Sequence, residues 1–247
     1  MNKHMKSTIK FIDRERRRIE LASEKIIASY PLNSIPDTLY KELLNLTEPS
    51  DDENTADYSY IYKSMAHKPT LCTYSQTSPF VINCAAKRVR LTLTDSELEK
   101  RIDKIEGDVL SVVSRPFEES MEERIDLYRN LFLEEEKIDR LRLGVVEMYG
   151  GRTYQNILRD RRVTLSFHWF RKEQPRNVGF QLNCIAEVIF PGEPFYRFMR
   201  AMLYLFGRRY LNLGFKDYPC VYRLWVSEVT EKSLDHRTGF VSDNSSS

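Results

Sequence analysis

The spacing of hydrophobic and polar positions changes several times along this chain, and each change marks an element. Over residues 9–30, Ile12, Ile19, Ile26 and Ile27 recur at helical spacing with Leu21 beside them, which predicts an amphipathic helix. Residues 36–46, PDTLYKELLNL, predict a second helix with Pro near its start. The polar, acidic stretch EPSDDENTAD (48–57) predicts a loop or boundary. TLCTYS (70–75) and PFVINCAAKRVRLTL (79–93) are rich in apolar and β-branched residues. With Gln76, Thr77 and Ser78 between them they predict a hairpin with a short polar loop.

The pattern turns helical again at residue 94. Thr94-Asp95-Ser96-Glu97 reads as a helix cap, followed by the periodic SELEKRIDKIEG. LSVVSRPF is expected as a brief strand or loop. From Ser120 a second helix places Met121, Ile125, Tyr128 and Phe132 on one face. The segment 94–138 is too long for a loop and predicts a helical insertion or lid. Beyond it, RLRLGVVEM is a strand, TYQNILRD a short helix, RRVTLSFHWF a strand, RKEQPRN a polar turn and VGFQLNCIAEVIF a long strand. PFYRFMRAMLYLFGRRY follows as an aromatic-rich helix and YPCVYRLWVSEVTE as a final strand. The end of the chain, TGFVSDNSSS, is expected to be disordered. Hairpin-connected strands with few crossover helices suggest an antiparallel barrel decorated by helices rather than a doubly wound parallel sheet.

Composition narrows the function less than the pattern narrows the fold. The 247 residues suffice for one large domain, and a net charge of +2 leaves no strong electrostatic footprint. Nucleic-acid binding through residues 10–27 is therefore disfavoured, because Glu15, Glu20 and Glu24 dilute the basic run. No apolar run approaches the roughly 20 residues that span a bilayer, and MNKHMKSTIKFIDRERRR lacks a signal-peptide core. No membrane association and a cytoplasmic location are the expectations. Cys72, Cys84, Cys184 and Cys220 form no CxxC pair, and the four histidines show no HxxxH or HExxH spacing, so no metal site is expected.

The segment that carries chemistry runs from Arg140 to Trp169. A Gly-Gly turn leads into a short helix that opens with Arg152, Thr153 and Asn156. Free backbone N–H groups, a cation and a hydroxyl at a helix start make an anion site, with phosphate the first ligand to expect. The same residues serve equally as an exposed turn arginine and a helix N-cap.

GGRTYQNILRDRRVTLSFHW resembles the signature segment of the FMN-binding split-barrel proteins, the pyridoxamine 5′-phosphate oxidase-like superfamily. Arg162-Val163-Thr164-Leu165 occupies the strand entry, with Arg161 where the family often has Pro. LNCIAEVIFPGE, the helix from Pro194 to Tyr210 and YPCVYRLWVSEV are similar to the family's later elements. PTLCTYSQTSPFVINCA is similar to its opening hairpin, without the turn glycine. The match covers about 140–230 well and 69–93 loosely.

That resemblance implies an α+β fold: an antiparallel split β-barrel with added N-terminal helices and a helical insertion. The implied organisation is a helical extension over 1–60, the barrel over 61–235 with its insertion at about 94–138, and a disordered tail over 236–247. FMN is the implied cofactor, with F420 and haem as family alternatives. Arg152 and Thr153 would meet its phosphate, assisted by Gly151 and Asn156, and by Lys87 and Arg88 from the hairpin. Val145 and Val146 would flank the ring through backbone groups. His168 and Trp169 would lie where their strand reaches the cofactor or the seam of a homodimer. A flavin carries the redox chemistry itself, so no catalytic triad is required. The implied activity is that of an FMN-dependent oxidoreductase or flavin reductase-like protein with an unassigned small-molecule substrate or electron donor. The alternative is a non-enzymatic binding or regulatory protein that retains the barrel and acts through its added helices.

Overall fold

A computed structural model describes residues 7–23, 26–45, 65–75, 78–170, 177–206 and 217–233. Its first element overturns the helix expected over 9–30. Those residues form a three-stranded antiparallel sheet, β1 (Thr8–Asp13), β2 (Arg18–Ser23) and β3 (Ile26–Pro31). The spacing of Ile12 and Ile19 that suggested one helical face is a hairpin repeat, because these residues are register partners. The charged run between them is a tight turn: Asp13 Oδ1 accepts the Arg16 N–H at 2.8 Å, and Arg17 takes a positive φ of 49°. Ile19 and Leu21, two residues apart, bury on one face against Leu32, Ile185 and Trp225. Period two, not 3.6, is the operative period there. The second expected helix is present as α1 (Asp37–Leu44).

The main sheet has seven strands: β4 (Thr70–Tyr74), β5 (Ile82–Ala86), β6 (Val89–Arg90), β7 (Arg142–Glu147), β8 (Arg162–Phe170), β9 (Asn177–Ile189) and β10 (Cys220–Glu231). Their order is β5-β4-β8-β9-β10-β7-β6, with every pairing antiparallel. The two outermost strands are consecutive in the chain, joined only by Lys87 and Arg88. The covalent chain thus closes the curled sheet into a barrel. β8 keeps a strict alternation, with Val163, Leu165, Phe167 and Trp169 inside and Ser166, His168 and Phe170 outside. β10 is buried on both faces, since the N-terminal sheet covers Trp225 from outside.

The insertion folds as two helices, α2 (Asp95–Val113) and α3 (Phe117–Leu131). The Thr94 hydroxyl accepts the Glu97 N–H at 3.4 Å, as the cap motif predicts. LSVV belongs to α2 rather than to a strand, and α3 begins at Phe117. The apolar faces of both helices are buried in the main core through Leu98, Ile102, Ile105, Ile125 and Tyr128, so the insertion is part of the barrel's packing. α5 (Pro194–Leu205) starts with Pro at its first turn. Its last carbonyls meet two buried arginines: Arg90 donates to Met202 O at 3.0 Å and Arg124 to Leu205 O at 2.9 Å. These bonds satisfy acceptors that a helix C-terminus leaves open, and they place positive charge at its negative end. Gly144 lets β7 approach α5: a Cβ there would stand 2.3 Å from Met199 Sδ. The loop expected at 48–57, most of the turn at 171–177 and the tail at 236–247 lie outside the described residues.

Candidate functional site

The Gly-Gly turn is held by a carboxylate. Glu147, at the end of β7 and 2% exposed on its side chain, accepts the N–H groups of Tyr149 at 3.2 Å and Gly150 at 3.1 Å. The same carboxylate takes Lys87 Nζ at 2.8 Å and the Tyr222 hydroxyl at 3.0 Å. Burial alone would raise its pKa. The Lys87 contact and the other donors outweigh burial and hold it below the ordinary carboxylate range. Gly150 adopts φ 63°, the left-handed conformation that glycine takes without penalty.

α4 (Arg152–Arg159) begins after Gly151. The structure separates the residues expected at its start. Arg152 and Gly151 are exposed, whereas Thr153 and Asn156 are buried against the β4–β5 hairpin. Asn83 Nδ2 donates to Thr153 Oγ1 at 3.1 Å, and Asn156 Nδ2 donates to Thr73 Oγ1 at 3.0 Å. These bonds fasten the helix to β4 and β5. Thr153 makes no N-capping bond, and Gly151 is the N-cap residue.

Lys87 and Arg88 come together with Val146 elsewhere, at the seam where β5 passes into β6. They line a recess of about 290 Å³ with Lys68, Arg90, Met148, Tyr149, Ala86 and Leu203. Four cations and no acidic residue contribute to this lining, and the remaining walls are mainly apolar. Tyr149, 78% exposed, stands at its edge beside the Gly-Gly turn. Behind Lys68, His67 is buried, and its pKa is pushed down to about 3, first by burial and then by the charge of Arg90. Asn83 and Lys87 are four positions apart, about 13 Å of extended chain. The helix start and the recess are therefore neighbouring but distinct positions.

Of the other expected residues, Val145 lies in the core, fully buried. His168 and Trp169 fall on opposite faces of β8. His168 is exposed, with its ring edge-on to Phe170 at 5.0 Å, while Trp169 is buried inside and stacks on Phe180 at 6.0 Å. Sequence inspection missed Lys68, Arg90 and Tyr149. Arg90 was findable, since it lies two positions after Arg88 in the run KRVR; nothing in the sequence singles out Lys68. A separate cleft of about 340 Å³ opens on the outer face of β4, β8 and β9, bounded by Tyr30, Cys72, Tyr74, Arg162 and Asn183 among others.

The order of strands, the covalent closure between β5 and β6 and the helix that follows β7 decide the architecture. The chain has the split-barrel fold. No family model matches the split-barrel chain, and no curated protein matches it. Among solved structures, HupZ from Group A Streptococcus aligns over 70% of this chain and 90% of its own, at 12% identity and a TM-score of 0.39. A proposed pyridoxamine 5′-phosphate oxidase from Lactobacillus delbrueckii aligns over 79% and 93%, at 13% identity and a TM-score of 0.37. A FAD-binding protein from Mesorhizobium loti aligns over 80% and 94%, at 8% identity and a TM-score of 0.39. At such identities and TM-scores nothing is carried across from these structures. Among the described residues no helix is long and apolar enough to cross a membrane, and no group of three or more metal-ligating side chains is present.

Proposed function

We propose that this split barrel binds a phosphorylated flavin of the FMN type and works as a homodimeric oxidoreductase. The observation that carries this reading is the recess at the β5–β6 seam, where four cations border an apolar wall. Cations suit a phosphate, and Val146, Met148 and Leu203 suit an aromatic ring from which water is to be excluded. Lys68 and Arg88 are the residues assigned to the phosphate. Lys87 reaches the same space while its ammonium rests on Glu147. A recess of about 290 Å³ stands at the lower end of the roughly 300–1,000 Å³ typical of ligand sites. A second copy covering the ring at Tyr149 would complete it. When bound, a flavin supplies the electron transfer, and the chain binds and orients it.

The test is visible absorption of the protein after mixing with FMN and dialysis. A retained flavin band, with affinity lowered about tenfold or more in Lys68→Gln/Arg88→Gln and little changed in Arg152→Ala, supports the recess. The reverse pattern moves the phosphate to the start of α4. A colourless protein that ignores FMN, F420 and haem, with no gain in thermal stability, overturns the cofactor reading.

A further inference from the structure

Cys72 and Cys84 lie opposite each other in the β4–β5 hairpin as register partners. Their sulfurs are 3.2 Å apart. Directly opposed residues in an antiparallel pair have Cα atoms about 4.5 or 5.5 Å apart, and both values fall within the 4.4–6.8 Å that a disulfide spans. The sulfurs need to approach by only about 1.2 Å to reach bonding distance, which side-chain rotation supplies without moving either strand. Cys84 is exposed and Cys72 half-buried on the wall of the outer cleft; Cys184, which also borders that cleft, and Cys220 are buried. We propose that Cys72 and Cys84 are a thiol pair that forms a reversible cross-strand disulfide by exchange with a low-molecular-weight disulfide.

The exchange balances without another reactant. The Cys84 thiolate attacks one sulfur of the small disulfide and expels one thiol. The Cys72 thiolate then attacks Cys84 Sγ and expels the second. The protein loses two protons and two electrons, and the small disulfide leaves as two thiols. Exposure makes Cys84 the first nucleophile. Burial, then the neighbouring thiol, raises the Cys72 pKa to about 11, so it enters second, once Cys84 is held within reach. β5 pairs with β4 alone in the sheet and carries Asn83, which reaches Thr153. The disulfide would therefore clamp that strand, and with it the seat of α4. This inference stands apart from the cofactor reading.

The experiment equilibrates the wild-type protein with mixtures of reduced and oxidised glutathione, quenches in acid, alkylates and maps the peptides by mass. The expected result is a Cys72–Cys84 linked peptide that rises as the mixture becomes more oxidising and disappears on return to reducing conditions. Cys184 and Cys220 are then alkylated only after denaturation. Cys72→Ser is expected to trap glutathione on Cys84, because the resolving thiol is gone. The proposal is overturned if the wild type keeps a stable glutathione adduct on Cys84 with Cys72 free. It is equally overturned if both thiols remain reduced in the most oxidising mixture.

Discussion

Where the N-terminal sheet meets the barrel, cations are matched by carboxylates. Arg142 is fully buried and contacts Asp139 at 3.0 Å and Asp95 at 2.9 Å, and Arg223 reaches Asp95 and Glu187 at 3.1 Å each. Arg14 joins them from the β1–β2 turn, 2.7 Å from Asp139. Trp225 donates its indole N–H to Glu187 at 3.0 Å, in the midst of these arginines. The recess at the β5–β6 seam is built differently, with four cations and no acid in its lining. Two of those four are also engaged internally, Lys87 by Glu147 and Arg90 by Met202 O, so what sets the recess apart is that no carboxylate is part of its lining. The contrast shows why counting arginines in a sequence does not locate a binding site.

The comparison can be broken first at Arg142. Arg142→Ala leaves the buried Asp139 with only the more exposed Arg14 and takes a buried cation from Asp95; it is expected to cost about 3–5 kcal/mol, read from denaturant unfolding. On the recess side, Lys87→Ala should cost less, about 1.5–3 kcal/mol, since Glu147 keeps the Tyr222 hydroxyl and two backbone donors. A third measurement concerns acid. His67 stays neutral in the fold down to about pH 3, while an unfolded histidine takes its proton near 6.5. The unfolded state binds more protons across that window, so stability should fall as the pH drops from about 6.5 towards 3. Unfolding midpoints across this range should flatten in His67→Gln, and an anion bound in the recess should ease the repulsion from Arg90. The smallest effect is expected for Lys68→Gln: stability unchanged within about 0.5 kcal/mol, while FMN affinity falls. A large loss of stability in that variant would make the recess another structural charge centre.

The barrel strands were legible because their alternation is local: β8 reads inside-outside without knowledge of its neighbours. The Thr94 cap and the faces of α2 and α3 were legible for the same reason. The N-terminal sheet was not, since Ile12 and Ile19 satisfy helical spacing as well as a hairpin repeat. What distinguishes them is Trp225, which enters from the far end of the chain. The site was half legible. Lys87, Arg88 and Val146 do converge, but Thr153 and Asn156 turn inward to Asn83 and Thr73. Nothing near them in sequence discloses those partners.

The closure of the barrel by Lys87 and Arg88 also bears on how the chain reaches its fold. β4 waits for β8, and β7 waits for β10, the last of the described strands to leave the ribosome. Until β10 is made, the β5-β4-β8-β9 strands and the β6–β7 pair, with α2 and α3 between β6 and β7 in the chain, are two separate pieces of sheet. Pairings so distant in sequence predict folding slower than that of a helical bundle. A chain stalled before residue 220 would present two open seams to its neighbours, which is the condition for aggregation.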